Sequence, residues 1–243
     1  ILSISLIFFN NSKNKNNIAT KFFMYNTIII YLVFIFLFLL SCGFLSYKLN
    51  LLDKPNERKL HSKPTAYTGG LALSASYLVS LELFNILDSN LNLILSISCL
   101  ITVVGFIDDK YNLNTGGKLS LQILPIFYLI VLENLRLTHI GDYYYFNLLL
   151  NSFEIPFTLI CVLFLINAFN YFDGIDGSLS FTSISVLSIL YFLANEESVK
   201  LYLLIISIPI LIYLLFNFGL FNLPKLFLGD SGSLLLGFVV SFI

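Results

Sequence analysis

The fold class this sequence predicts is an all-α polytopic membrane protein, a transmembrane helix bundle, and three observations predict it. Of 243 residues, 58% are apolar and only 11% charged, against about 25% charged in an ordinary soluble domain. The apolar residues run in long uncharged blocks, and about 20 such residues cross a ~30 Å hydrocarbon core as one helix. Basic residues collect in alternate connections between those blocks, as topology-setting charges do. The formal net charge of −1 gives no support to a nucleic-acid partner.

Met24 is the single methionine, and residues 10–17 read NNSKNKNN. Residues 1–23 are therefore expected to be a non-native or disordered leader. Residues 24–243 are expected to form one transmembrane domain, truncated at its C-terminus because GFVVSFI stops in mid-span. Apolar helices are expected near 27–47, 69–87, 91–107, 119–135, 155–171, 179–194 and 199–216, with an eighth beginning at 231. Glu82 falls inside the second, where a charge belongs near the helix end or facing the bundle. Cys42, Cys99 and Cys161 all lie within apolar blocks. Their odd number and the lack of CxxC spacing make them small buried side chains rather than disulfide partners or metal ligands.

Alternate connections share one face of the membrane. One face carries Lys48, Lys54, Arg58, Lys59, Lys63, Lys110, Lys118 and Lys225; the other carries Arg136 and the helix-end Lys200. Positive residues stay inside, so the first face is cytoplasmic. Five of the chain's aspartates, Asp108, Asp109, Asp173, Asp176 and Asp230, fall in three separate connections on that same face. Span parity alone puts them together.

Carboxylates gathered at helix ends repel one another unless a cation sits among them. With neither cysteine nor a histidine pair at hand, the donors are oxygens, which select Mg²⁺ or Mn²⁺, and Mg²⁺ takes one or two carboxylates plus substrate phosphates. Lys63, Lys110, Lys118 and the Arg58–Lys59 pair share the face. Acids for a metal beside bases for phosphates point to phosphoryl chemistry. Each motif also has a plain structural explanation. FIDDKYNLNTGGKLS (106–120) reads as a polar loop, and His61 alone as a solvated histidine. Asp230 in FLGDSGSLLLG (227–237) reads as a helix N-cap. NAFNYFDGIDG (167–177) is harder to explain away. Asn167, Asn170, Asp173 and Asp176 recur three apart, so neighbours share a helix face, and unpaired amides in an apolar span are expensive. A transporter would place such groups near the midplane of several helices; here they cluster at cytoplasmic ends.

In order along the chain, DKPNERKLHSKPTAYTGG, DDKYNLNTGGK, NAFNYFDGIDG and FLGDSGSLLLG resemble the polyprenyl-phosphate N-acetylhexosamine-1-phosphate transferases, the MraY/WecA family. The resemblance is nearest to the WecA-like branch. It implies a bundle of ten or eleven spans, of which about eight are present, in a bacterial inner membrane with the site facing the cytoplasm. It implies transfer of GlcNAc-1-phosphate from UDP-GlcNAc to undecaprenyl phosphate with release of UMP, among membrane lipids and with a homodimer left open. MurNAc-pentapeptide or another UDP-HexNAc, or an inactive scaffold, are the alternatives. By the same resemblance Asp230 would ligate Mg²⁺ (or Mn²⁺) with Asn170. Asp108 and Asp109 would be the catalytic pair at the lipid phosphate, and Asp173 and Asp176 would orient metal, pyrophosphate or uridine. Lys63 and Lys118 would clamp phosphate, Asn167 would line the site, and Asn217 and Phe227 would border the nucleoside. Ser178 departs from the family's usual leucine, and a histidine-rich last loop is expected beyond residue 243.

Overall fold

The computed structural model describes residues 17–55, 63–84, 88–143 and 146–243, and the side chains of all of these except 17–24 and 142–147. Arg58, Lys59, His61 and most of the expected leader lie outside the described residues. Eight α-helices among the described residues stand where eight apolar segments are expected: α1 Asn17–Leu49, α2 Gly69–Phe84, α3 Ser89–Tyr111, α4 Thr115–Phe127, α5 Glu154–Phe172, α6 Ser178–Leu193, α7 Glu197–Asn217 and α8 Gly229–Ser241. Among the described residues, 5 segments are long and apolar enough to cross a membrane: Tyr25–Leu49, Ser89–Tyr111, Thr115–Leu132, Asn151–Phe172 and Glu197–Asn217. α4 reaches 18 residues through the π-helical turn Tyr128–Leu132 that continues it, whereas α2 and α6 have 16 residues and α8 has 13. The chain is a polytopic helical membrane protein, and length alone supports five of its helices as full crossings.

Several boundaries differ from those the apolar pattern gives, because polar residues cap and extend the helices. Asp88 caps α3 by accepting from the N–H groups of Asn90 at 2.8 Å and Leu91 at 3.2 Å. α3 then runs on through Tyr111 and closes at Asn112, whose φ of 51° is left-handed. Asn114 caps α4 through a 2.7 Å bond from the Gly117 N–H. The expected loop at 108–118 thus shrinks to Asn112–Asn114. Asp108 and Asp109 sit in the last turn of α3, and Lys118 in the first turn of α4. Glu82 is exposed in the last turn of α2, at the helix end as expected.

The all-helical expectation also needs two small additions. Leu52–Asp53 (β1) pairs antiparallel with Thr65–Ala66 (β2), and His139–Tyr143 (β3) with Phe146–Leu149 (β4). The second hairpin occupies the connection between α4 and α5, where aromatic residues outside the spans favour extended pairing. Ala66 additionally bridges Leu226, the Phe227 N–H donates to the Ala66 carbonyl at 2.7 Å, and Gly69 and Gly70 N–H donate to the carbonyls of Phe227 and Leu228 at 3.0 Å each. These bonds tie the segment before α8 to the start of α2.

Inside hydrocarbon every freed carbonyl needs a donor. Pro209 within α7 has no N–H for the carbonyl four residues back, Ile205. The buried Tyr31 hydroxyl of α1 reaches Ile205 O at 3.5 Å, and Tyr77 of α2 reaches Ile206 O at 3.3 Å. Those two phenols knit α1, α2 and α7 at the proline.

α8 is the innermost helix, with Ser231 through Val239 all buried against α2, α3 and α5. Its N-terminal turn touches neighbouring backbones directly. A Cβ at Gly70 would lie 2.1 Å from Gly232 N, and one at Gly105 would lie 2.4 Å from Asp230 O. Only glycine permits such contact. That approach brings the ends of α3, α4, α5 and α8 to one point.

Candidate active site

Lys118 is the centre of that point. Its ammonium lies 2.7 Å from Asp108 Oδ2 and 2.6 Å from Asp230 Oδ2, and donates to Asn170 Oδ1 at 3.0 Å. Asp108 is 8% exposed, and its other oxygen accepts from the Leu113 N–H at 2.8 Å. Asn170 completes the ring by donating to Asp230 Oδ1 at 2.9 Å and to Ser233 Oγ at 2.8 Å. Asn170 therefore has a fixed orientation, its oxygen toward the cation and its nitrogen toward the carboxylate.

Asp109 turns away from the ammonium. Sequence makes Asp230 the N-cap of α8; the structure corrects this. Asp230 lies inside the first turn. The cap comes from another helix, because Asp109 accepts the N–H groups of Asp230 at 3.0 Å and Ser231 at 3.2 Å. An acidic group suits that place, since a helix start has unpaired N–H groups and a positive dipole end.

The stripe of four polar residues also divides. Asn167 and Asn170 belong to α5, which ends at Phe172. Asn167 lies one turn deeper and donates to Gln122 Oε1 at 3.0 Å and Leu163 O at 2.8 Å. Asp173 follows the helix, and no side-chain hydrogen bond reaches its carboxylate among the described residues. Burial, and then the negative charges of Asp230 and Asp176, push its pKa up to about 7. Burial and the neighbouring Asp108 raise that of Asp230 as well, against the pull of Lys118. Asp176 instead forms an ion pair with Lys225, whose ammonium stands 5.3 Å from the centre of the Phe227 ring.

Asp108, Asp109, Asn170, Asp230 and Lys118 are thus brought together, with Asp173 electrostatically coupled to them. Asp176, Lys225 and Phe227 make a neighbouring group. Lys63 is exposed just before β2. Asn217 is buried, and its amide nitrogen donates to Leu226 O at 3.0 Å and Tyr213 Oη at 2.9 Å, fixing the backbone that leads to Phe227. Two members escape sequence reasoning: Gln122, fully buried with its Nε2 unpartnered, and Ser233. Their signal is spacing, Gln122 being four residues after Lys118 and Ser233 three after Asp230.

Lys118 meets the carboxyl groups of Asp108 and Asp230, and Asp173 lies within electrostatic reach of Asp230, more acidic groups than one ammonium balances. The donors are all oxygen, and Asp173 has a carboxylate without a hydrogen-bond donor, which fits a hard divalent cation. Among the described residues no three acidic, histidine or cysteine side chains form a group that could hold a metal unaided. Mg²⁺ does not need one, because it binds through one or two carboxylates with the rest supplied by phosphate and water.

Residues 91–243 match the model of glycosyl transferase family 4. The undecaprenyl-phosphate alpha-N-acetylglucosaminyl 1-phosphate transferase of Yersinia pestis is 31% identical over 221 residues, covering 87% of this chain and 60% of that protein. The protein of the same name in Escherichia coli K12 is 28% identical over 218 residues, 87% of this chain and 59% of its own length. A Bacillus subtilis protein named probable undecaprenyl-phosphate N-acetylglucosaminyl 1-phosphate transferase is 30% identical over 203 residues, 81% of this chain and 55% of its own. The chain belongs to glycosyl transferase family 4. It spans between 55% and 60% of the length of these relatives.

Proposed function

We propose that this protein is a Mg²⁺-dependent transferase of the bacterial cytoplasmic membrane that moves GlcNAc-1-phosphate from UDP-GlcNAc to undecaprenyl phosphate. A lipid-phosphate oxygen attacks the phosphorus that carries the sugar. The bond from that phosphorus to the bridging oxygen breaks, UMP leaves with the oxygen, and lipid-pyrophosphate-linked GlcNAc remains. The single observation that carries this is the Lys118 ammonium ringed by Asp108, Asp230 and Asn170 from three other helices. Positive and negative groups stand within contact of one another at the helix ends, which is what a diphosphate and its counter-cation require. The excess of basic residues on the same face supports a cytoplasmic orientation.

Asp230 and Asn170 would hold Mg²⁺, with Asp173 beside them. The ion, when bound, neutralises charge on the diphosphate and on departing UMP. Lys118 would meet phosphate oxygens by leaving Asp230 for them, while Asp108 keeps it within reach. Lys63 offers a further positive charge to the lipid phosphate, and Asp176, Lys225 and Phe227 border the nucleotide. A phosphate monoester has a second pKa of about 6 and is largely dianionic at neutral pH. Placement and charge neutralisation therefore matter more than proton removal.

Membranes carrying the protein, given UDP-GlcNAc labelled in the sugar and Mg²⁺, are expected to form organic-extractable label and an equal amount of UMP. Asp230→Asn, inserted at normal levels, is expected to lower the rate by about 100-fold or more, the scale of losing a main electrostatic group. Unchanged transfer in that variant contradicts the role given to Asp230, and no extractable label in wild type contradicts the activity.

A further inference from the structure

We infer that Asp109 is a positioning residue: its carboxylate fixes the first turn of α8, and through it the direction of the Asp230 side chain, without ligating metal. This deepens the function proposed above and rests on Asp230 being a metal ligand.

Three observations support it. First, both Asp109 oxygens are engaged by backbone: Oδ1 accepts from Asp230 N at 3.0 Å and Oδ2 from Ser231 N at 3.2 Å. Second, the carboxylate is enclosed. Gly229 has a φ of +70°, and a Cβ there would lie 2.6 Å from Asp109 Oδ2 and 2.9 Å from Tyr67 O. One turn earlier on α3, Gly105 leaves no space between the helix and the Asp230–Ser231 backbone, with a built Cβ 2.5 Å from Ser231 Cα. Third, the ammonium of Lys118 lies against Asp108 and Asp230, and Asp109 is not among its partners. Successive helical residues point about 100° apart. The adjacent carboxylates of Asp108 and Asp109 therefore serve different purposes, one facing the charged centre and one facing a helix start.

Asp230 is itself the residue whose N–H is capped. Its backbone is held by Asp109, while its side chain is held by Asn170 and Lys118. Removing the cap lets that turn shift relative to α3, and outer groups that aim a metal ligand are worth about 10–100-fold in metal affinity. Asparagine caps a helix about as well as aspartate, whereas alanine does not.

The test is Mn²⁺ binding by electron paramagnetic resonance on the purified full chain in detergent, with UDP-GlcNAc present to supply the phosphate ligands and no lipid acceptor, alongside melting temperature. Asp109→Ala is expected to weaken Mn²⁺ binding by about 10–100-fold, and Asp109→Asn by several-fold less than that, since its amide oxygen keeps one of the two N–H bonds while its amide nitrogen cannot accept the other. Asp109→Ser, with a shorter acceptor, takes the place of Asp109→Ala should that variant fail to fold, and falls between the two. Equal, large losses in Asp109→Asn and Asp109→Ala overturn the inference, because the retained acceptor oxygen would then contribute nothing. So does Asp109→Ala that melts lower yet binds Mn²⁺ as wild type does. Wild-type protein that binds no Mn²⁺ even with UDP-GlcNAc present removes the metal role of Asp230 and the inference with it, a result distinct from either of those.

Discussion

Lys118→Met removes the ammonium that Asp108, Asp230 and Asn170 share while keeping a side chain of similar length. The side chains involved are 14% exposed for Lys118, 10% for Asp108 and 34% for Asp230. That places the cluster nearer to a buried ion pair, where deleting one partner costs about 3–5 kcal/mol, than to a surface pair worth at most about 1 kcal/mol. Partial access to water lowers the expectation to about 2–3 kcal/mol, a melting shift of roughly 5–10 °C for a chain of this size. The assay is thermal unfolding in detergent with EDTA, repeated in millimolar Mg²⁺. In EDTA the variant is expected to melt several degrees below wild type, because its carboxylates face one another without a counter-charge. Mg²⁺ is expected to raise the variant more than wild type, since the ion no longer displaces an ammonium. Equal melting in EDTA, or an equal rise in Mg²⁺, refutes this account of Lys118.

Asp173 gives a pH prediction. Its folded pKa of about 7 lies above the ordinary aspartate value of about 3.9, so the native state holds the proton more tightly than the unfolded chain. The associated stability is fully present below about pH 4 and is lost as pH rises through about 7. Asp173→Asn, which cannot ionise, is therefore expected to gain stability over wild type at pH 8 in EDTA, up to the ~4 kcal/mol that the whole shift represents, and nothing at pH 4; a pH-independent difference contradicts it. At the α7 proline, Tyr31→Phe is expected to cost about 0.5–1 kcal/mol alone and less in Pro209→Ala, where the restored N–H serves Ile205 O. Additive losses in that double-mutant cycle disprove the link. Gly105→Ala puts a methyl group 2.4 Å from Asp230 O and is expected to destabilise by about 1–3 kcal/mol through overpacking, read by the same melting assay. A melting temperature equal to wild type refutes the contact.

Much of the bundle is legible in the sequence because a helix in hydrocarbon announces itself by composition over about 20 residues. The segments 27–47, 155–171 and 199–216 fall within α1, α5 and α7 as found. Helix ends are less legible. Asp108 and Lys118 are polar and read as loop, yet caps at Asn112 and Asn114 carry both helices outward past the apolar stretch. The site is legible as a set of residues on one face, and illegible as a set of partners. Asp109 caps a helix 121 residues away. Lys118 meets Asn170 across 52 residues and Asp230 across 112. No local period encodes such pairings. The stripe from Asn167 to Asp176 shows the reverse error, a helical spacing extended past Phe172, where the helix stops and Asp176 turns to Lys225. Gln122 is missed because one amide inside an apolar run looks like an exception, until Asn167 supplies its partner.

The most direct test of the whole account is sidedness. Single cysteines at Lys110, Ile175 and Phe221, exposed residues beside the three acidic segments, are introduced into protein lacking Cys42, Cys99 and Cys161, then treated with a membrane-impermeant maleimide. All three are expected to react in inside-out vesicles and to be protected in right-side-out ones. Reaction of any of them from the opposite side would separate the acids across the bilayer and contradict a shared cation site.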